Sequence, residues 1–120
     1  NPEARAIQSV PVGEESTIAQ GVVDECAAFN VEAHKAGKPG DVGVVVGATL
    51  DNPPRLDALN GPVLLPGVGA QGAGPEQVHD IVSAHPSLGF ANVSRAVLEQ
   101  GPDVADLRKV VAQVAAEFRD

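Results

Sequence analysis

The chain has 120 residues, 43% of them hydrophobic and 20% charged, which suits one globular domain and is too short for two ordinary ones. Eight Lys and Arg against sixteen Asp and Glu give a net charge of −8, and the sequence shows no basic surface with interleaved aromatic residues. Both features argue against nucleic acid as a partner. No apolar run approaches the roughly 18 residues of a membrane span, which argues against insertion in a membrane.

The numbers of cysteine and methionine residues suggest the cellular compartment of the protein and whether the sequence is a fragment. Cys26 is the single cysteine, so an internal disulfide is impossible, and we expect a reducing, cytoplasmic environment. No signal peptide is visible. Because the chain contains no Met, Asn1 is not a natural translation start, and we expect a fragment. With neither Trp nor Tyr, the core must consist largely of Val, Leu, Ile and Ala.

The first half of the chain predicts helix, strand and helix. From Ser16, apolar residues recur at steps of three and four, which predicts an α-helix with its C-terminal cap at Gly37. The Val-rich run 42–49 predicts a strand buried on both faces, and 54–60 predicts a short helix. The apolar positions of the first helix are Ile18, Val22, Cys26, Phe29 and Ala33.

The second half continues the alternation. Pro62–Pro66 predicts a strand, and a Gly-rich loop leads from it to a helix that starts at Pro75 and reaches about His85. The segment 87–93 predicts a third strand. Apolar residues at helical spacing from Val104 to Phe118 predict the last helix.

This alternation predicts an α/β fold built from right-handed, parallel βαβ units. The pattern alone leaves a doubly wound sheet and a barrel open, although three strands are few for either. A complete (β/α)8 barrel needs roughly 250 residues, so 120 residues is about half of one. Such a half leaves two strand edges unpaired and one sheet face uncovered.

Two polar side chains follow successive predicted strands, at the edge where parallel α/β folds carry their sites. The loop "PGVGAQGAG" holds Gln71 among glycines at 67, 69, 72 and 74, which allow backbone N–H groups to approach an anion. "NVSRAV" supplies Arg95, a bidentate donor for phosphate oxygens. A Gly-rich loop or an arginine alone is more often structural, but the combination favours a site for a phosphate dianion.

The remaining chemically active residues point to no site. His34, His79 and His85 have no metal-ligand spacing, and solvated or capping roles suit them. Cys26 lies on the apolar face of the first predicted helix, where a small packed residue is the simpler interpretation than a reactive thiol. The residues therefore indicate no metal site.

Three segments, "VGVVVGAT" at 42–49, "VLLPGVGAQGAG" at 63–74 and "NVSRAVL" at 92–98, resemble the bacterial orotidine 5′-phosphate decarboxylase family of the type found in mycobacteria. The resemblance implies that residues 1–120 are the C-terminal half of a (β/α)8 TIM barrel, from just after its fifth strand through its last helix. About three parallel strands with covering helices are then expected. The intact enzyme, usually a homodimer, converts orotidine 5′-monophosphate (OMP) to UMP and CO2 without metal or organic cofactor.

The resemblance also implies roles for individual residues. Gln71 and Arg95 match the phosphate-binding pair, Ser94 lies beside the phosphate, and the segment from Pro66 to Val68 lines the nucleotide pocket. Gly69 of the Gly-rich loop completes this set. The expected substrate-binding residues are Pro66, Gly67, Val68, Gly69, Gln71, Ser94 and Arg95.

The family's catalytic Asp/Lys array has no counterpart here. The lysines are Lys35, Lys38 and Lys109, and none stands in a D-x-K-x-x-D context. We therefore expect no catalytic residue in this chain, no activity from the chain alone, and the N-terminal half of the barrel as its partner. Two alternatives remain: another phosphate-binding barrel, such as a sugar-phosphate epimerase or isomerase, and a non-catalytic, excised half-barrel.

Overall fold

The structure is a computed structural model that describes residues 4–13, 16–69 and 72–119. It contains both helices and strands, as the sequence predicts, but they do not alternate strictly along the chain. The helices are α1 (Arg5–Gln8), α2 (Ile18–Phe29), α3 (Val31–Lys35), α4 (Pro75–Ile81), α5 (Arg95–Leu98) and α6 (Val104–Glu117). The strands are β1 (Pro11–Val12), β2 (Ser16–Thr17), β3 (Val44–Val45), β4 (Val63–Pro66) and β5 (Gly89–Asn92).

The predicted parallel sheet is confirmed. Strands β3, β4 and β5 pair in that order, and both pairs are parallel. The hydrogen-bonded ladder continues beyond β3, because the Ala48 N–H donates to the Pro66 oxygen at 2.9 Å. All three strands therefore run in one direction, and their carboxyl ends share one edge of the sheet.

The hydrophobic core lies between one face of this sheet and the helices. Val63 and Leu65 of β4 are buried, whereas Leu64 between them is exposed on the opposite face. This alternation follows from the two-residue period of a strand. The other buried apolar residues are Val23, Val46, Ala48, Leu56, Leu59, Val68, Ala73, Val78 and Val82.

The predicted first helix is interrupted, so its prediction as one helix is wrong. Thr17 caps the start of α2 by accepting a hydrogen bond from the Gln20 N–H at 3.2 Å. The helix breaks at Asn30, whose side chain is only 2% exposed. Its Nδ2 donates to the carbonyls of Val42 and Leu59 at 2.7 and 2.8 Å. Its Oδ1 accepts from the Val42 N–H at 3.1 Å. These bonds tie the junction of α2 and α3 to distant backbone.

The helix predicted at 54–60 is also wrong. The segment is a turn in which the Leu59 N–H donates to the Leu56 oxygen at 3.0 Å, and both leucines are buried. Asn60 follows with a φ of 46°, a left-handed conformation that a continuing α-helix cannot contain. Leu56 and Leu59 therefore join the core from a turn rather than from a helix.

Two other elements are shorter than predicted. Helix α4 starts at Pro75 as predicted but ends at Ile81, before His85. The third strand starts only at Gly89, because Pro86–Leu88 form a turn of 3-10 helix. Helix α6 begins as predicted, and Asp103 caps it by accepting from the Ala105 N–H at 2.8 Å.

The small antiparallel pair of β1 and β2 was not predicted. Strands of two residues carry too little sequence signal for the period of two to show. In the described part of the chain, no helix is long and apolar enough to cross a membrane.

Candidate functional site

The carboxyl ends of β4 and β5 bring the two predicted anion-binding segments together. Pro66, the last residue of β4, pairs in register with Asn92, the last residue of β5. The Gly-rich loop starts directly after Pro66, and Ser94 and Arg95 follow Asn92 within three residues. The sheet thus places both segments at the same edge, as the sequence predicts.

The described residues of the Gly-rich loop are hydrogen-bonded to one another. The Gly69 N–H donates to the Ala73 oxygen at 2.9 Å, and the Gly72 N–H donates to the Gly69 oxygen at 2.8 Å. Gly69 and Gly72 have φ values of 75° and 99°, which L side chains rarely adopt. The side chains of Val68 and Ala73 are buried in the core and hold both ends of the turn.

These hydrogen bonds alter the expected role of the loop glycines. The N–H groups of Gly69 and Gly72 donate inside the loop, and the Gly74 N–H donates to the Gln77 Oε1 at 2.8 Å. In this conformation the three amides are already engaged, so the idea that they approach an anion is not supported.

The loop lies directly over the start of α5. A Cβ built on Gly69 would be 3.7 Å from Val93 Cγ1 and 3.9 Å from Ala96 Cβ, on either side of Ser94 and Arg95. Ser94 and Arg95 are both exposed. Their polar groups are therefore open to solvent beside the loop.

Asn92 is a polar residue of this edge that the sequence reasoning missed. The Ser94 hydroxyl donates to the Asn92 Oδ1 at 2.8 Å, which orients the serine. Asn92 is exposed at the end of β5, and a single Asn at a strand end gives no distinctive sequence signal.

The structure places some of the predicted site residues at this edge of the sheet and does not describe one of them. Pro66, Gly67 and Gly69 lie at the edge with Ser94 and Arg95. Val68 is also there, but its side chain is buried, so only its backbone can face a ligand. Gln71 lies outside the described residues, and its role stays a prediction.

A cleft of about 900 Å³ lies elsewhere. It is formed by the segment around α1, the start of α2 and the loop 49–55, and none of the predicted phosphate-binding residues that the structure describes lines it. Arg5 and Asp51 meet across it at 3.4 Å, both highly exposed. The predicted phosphate site is thus an open edge of the sheet rather than an enclosed cavity.

Metal ligands are not clustered at this edge. Within residues 4–13, 16–69 and 72–119, no group of three or more His, Cys, Asp or Glu side chains could hold a metal ion. The His85 ring lies 3.2 Å from the Asp57 carbonyl oxygen, in line with the structural role expected of it. Lys35 pairs with Glu32 of its own helix at 2.8 Å.

Comparisons with known proteins agree on one relationship. No family model matches the chain. An orotidine 5′-phosphate decarboxylase of Corynebacterium glutamicum is 47% identical over 118 residues, which are 98% of this chain and 42% of the relative. That of Corynebacterium efficiens is 49% identical over the same shares. The chain therefore spans less than half of the length of these relatives.

The comparison with solved structures covers nearly the same shares of the two chains as the sequence comparison does. A crystal structure from Streptomyces avermitilis, described as a candidate orotidine 5′-phosphate decarboxylase, superposes with a TM-score of 0.82 at 38% sequence identity. The match covers 99% of this chain and 41% of the other. Sequence and fold thus point to the same relatives.

Proposed function

We propose that this chain, which is homologous to part of the orotidine 5′-phosphate decarboxylases, is the portion of such an enzyme that binds the substrate's phosphate. In this proposal residues 1–120 are the C-terminal half of a (β/α)8 barrel. Strands β3, β4 and β5 serve as its sixth, seventh and eighth strands. The whole enzyme converts OMP to UMP and CO2, in pyrimidine nucleotide synthesis.

The observation that carries the proposal is the junction at the carboxyl ends of β4 and β5. Register pairing of Pro66 with Asn92 sets the Gly-rich loop beside Ser94 and Arg95. Phosphate sites of (β/α)8 barrels commonly use the loops after strands 7 and 8. Arg95 supplies a guanidinium group for phosphate oxygens. The Ser94 hydroxyl donates its one proton to the Asn92 Oδ1 at 2.8 Å, so it must give up this hydrogen bond to donate to a phosphate.

Gln71 is assigned the second phosphate contact on the strength of the family resemblance alone. Pro66, Gly67 and Gly69 line the nucleotide side of the pocket, and Val68 contributes its backbone. The Gly69 and Gly72 amides donate within the loop, so binding an anion through these two amides requires those hydrogen bonds to break.

The phosphate is remote from the carbon–carbon bond that breaks, yet its binding energy can lower the barrier. Contacts to the phosphate hold the orotate ring against the catalytic groups and stabilise the closed form of the enzyme. Those catalytic groups belong to an Asp/Lys array that we assign to the remainder of the enzyme. The chain alone is then inactive, and a homodimer of the whole enzyme stays a prediction.

The alternatives have less support. A sugar-phosphate epimerase or isomerase would share an anion site after strands 7 and 8, but the relatives reported above are decarboxylases. A binding-only half-barrel would bind the nucleotide without turning it over. It therefore differs from the proposal only in whether the complete barrel catalyses a reaction on the nucleotide.

A ligand titration tests the phosphate site in this chain. We expect UMP to shift the amide NMR signals of 67–69 and 92–95. Arg95→Ala removes a charge-assisted contact worth about 1.5–3 kcal/mol, so the affinity for UMP should fall roughly 10- to 150-fold. Arg108→Ala, which removes an exposed arginine of α6, is the matched control and should leave the affinity unchanged.

Uridine distinguishes the phosphate from the rest of the nucleotide. It lacks the dianion, so its affinity should be the same for the original chain and for Arg95→Ala. Equal effects of the Arg95 and Arg108 substitutions on UMP binding would contradict the assignment of Arg95 to the phosphate.

A further inference from the structure

Asn92 and Ser94 form a hydrogen-bonded pair at the carboxyl end of β5, next to Arg95. The Ser94 hydroxyl donates to the Asn92 Oδ1 at 2.8 Å, and both residues are exposed. Ala91 and Val93 pack against the core, so the alternation of a strand puts the Asn92 side chain on the opposite face. The pair is therefore open to a ligand that reaches this edge of the sheet.

The direction of this hydrogen bond decides whether Ser94 can bind an anion. A serine hydroxyl carries one proton, and the structure directs that proton to Asn92. A phosphate dianion accepts hydrogen bonds and donates none, so it needs the same proton. In this arrangement Ser94 offers an approaching anion only its lone pairs, which repel it.

The amide of Asn92 can reverse the hydrogen bond while the two side chains stay in contact. An Asn side chain has an acceptor oxygen and a donor NH2 group of nearly the same shape, and rotation by about 180° around χ2 exchanges them. After this rotation the Asn92 Nδ2 donates to the Ser94 Oγ, and the serine proton is free. We call this arrangement the turned form.

The surroundings leave the Asn92 amide free to rotate. Its register partner is Pro66, which has no backbone N–H that could hold the Oδ1. In the described part of the chain, the bond with Ser94 is the one hydrogen bond of the Asn92 side chain. Asn30 is the opposite case, because it is 2% exposed and both ends of its amide are bonded. Rotation therefore costs Asn92 one exposed hydrogen bond, which forms again in the turned form.

We propose that Asn92 is a positioning residue of the phosphate site, and that its amide rotates when the anion binds. The Asn92 Nδ2 then holds the Ser94 oxygen while the Ser94 proton is donated to a phosphate oxygen. This inference rests on the proposed function, since it takes Ser94 and Arg95 to contact a phosphate. A hydrogen bond to an anionic oxygen is about twice as strong as one to a neutral amide oxygen. The anion therefore favours the turned form.

NMR spectroscopy of the side-chain amides observes the rotation in the original chain. Saturation with UMP should shift the Asn92 NH2 signals and slow the exchange of their protons with water. Uridine lacks the dianion and should leave both unchanged, and the buried Asn30 amide should respond to neither ligand. In the Ser94→Ala variant, saturating UMP should no longer slow the Asn92 exchange. Unchanged exchange in the original chain, or equal slowing in the variant, would overturn the proposal, since equal slowing indicates that Asn92 contacts the ligand directly.

Asn92→Asp keeps the shape of the side chain and removes its donor, so the carboxylate retains the Ser94 proton. The affinity for UMP should fall about tenfold or more. The added charge also repels the phosphate, and a Ser94→Ala background isolates this repulsion. In that background Asn92→Asp should reduce the affinity by a factor at least about fivefold smaller. Asn60→Asp adds the same charge before β4, at the opposite edge of the sheet, and should leave the affinity unchanged.

The outcomes separate this inference from the proposed function. Equal losses from Asn92→Asp in both backgrounds would overturn the role of Asn92. If Arg95→Ala still weakens UMP binding in that case, the phosphate site stands without it. UMP binding that Arg95→Ala does not weaken would overturn the phosphate site and this inference together. If a variant does not fold, the exchange measurement on the original chain decides.

Discussion

Asn30→Asp is expected to lower the free energy of unfolding by about 2–4 kcal/mol, the largest stability loss among the substitutions considered. The side chain keeps its shape, but a carboxylate oxygen replaces Nδ2 opposite the carbonyl oxygens of Val42 and Leu59. The buried Leu59 carbonyl and the part-buried Val42 carbonyl then lose their donor and face a negative charge instead. Urea denaturation followed by circular dichroism measures the loss.

The packing around Asn30 leaves little room for adjustment. A Cβ on Gly40 would collide with the Asn30 Oδ1, and a Cβ on Gly61 would lie 2.7 Å from its Nδ2. The chain thus passes closely around this side chain at two glycines. We therefore expect relaxation of the backbone to offset little of the lost hydrogen bonding.

Asn60→Asp is the matched control. The Asn60 Nδ2 donates a single surface hydrogen bond to the Lys38 oxygen at 2.9 Å, and Asp tolerates the left-handed backbone of this position as Asn does. The expected loss is less than about 1 kcal/mol. If both substitutions cost the same, Asn30 does not hold the α2–α3 junction in the way described.

Arg95→Ala is expected to have the largest effect on activity. The assay uses a chimera in which this chain replaces the matching 118 residues of the Corynebacterium glutamicum relative, so that the catalytic part is present. Loss of a charge-assisted contact of about 1.5–3 kcal/mol lowers kcat/KM for OMP roughly 10- to 150-fold, and further if loop closure is impaired. Steady-state kinetics with OMP measure this directly.

A truncated substrate without the phosphate separates this effect from general damage. Its kcat/KM should be the same for the chimera with and without the Arg95→Ala substitution, because the missing contact has no ligand group to meet. Arg108→Ala should leave both substrates unaffected. Equal losses on OMP and on the truncated substrate would assign Arg95 a structural role instead.

The parallel sheet was predictable because its signals are local. The β-branched run at 42–49 and the apolar Pro62–Pro66 segment mark buried strands, and Pro75 marks a helix start. The break at Asn30 was not predictable, because it depends on hydrogen bonds to Val42 and Leu59, which lie 12 and 29 residues away. Tertiary contacts of this kind override a regular helical pattern.

The candidate site was also predictable only in part. The positions of the Gly-rich loop and of Arg95 follow from strand order, since parallel strands end at one edge. The internal hydrogen bonds of Gly69 and Gly72 do not follow from composition, which suggests only that the loop can approach a ligand. Asn92 was missed because its contact with Ser94 is a side-chain detail of a strand end.

Decarboxylation of OMP by the unsubstituted chimera tests the central claim most directly. If this chain is the phosphate-binding part of an orotidine 5′-phosphate decarboxylase, the folded chimera releases CO2 and UMP from OMP, and the 120-residue chain alone does not. A chimera that folds, as judged by cooperative unfolding, and yet neither binds UMP nor decarboxylates OMP would contradict it.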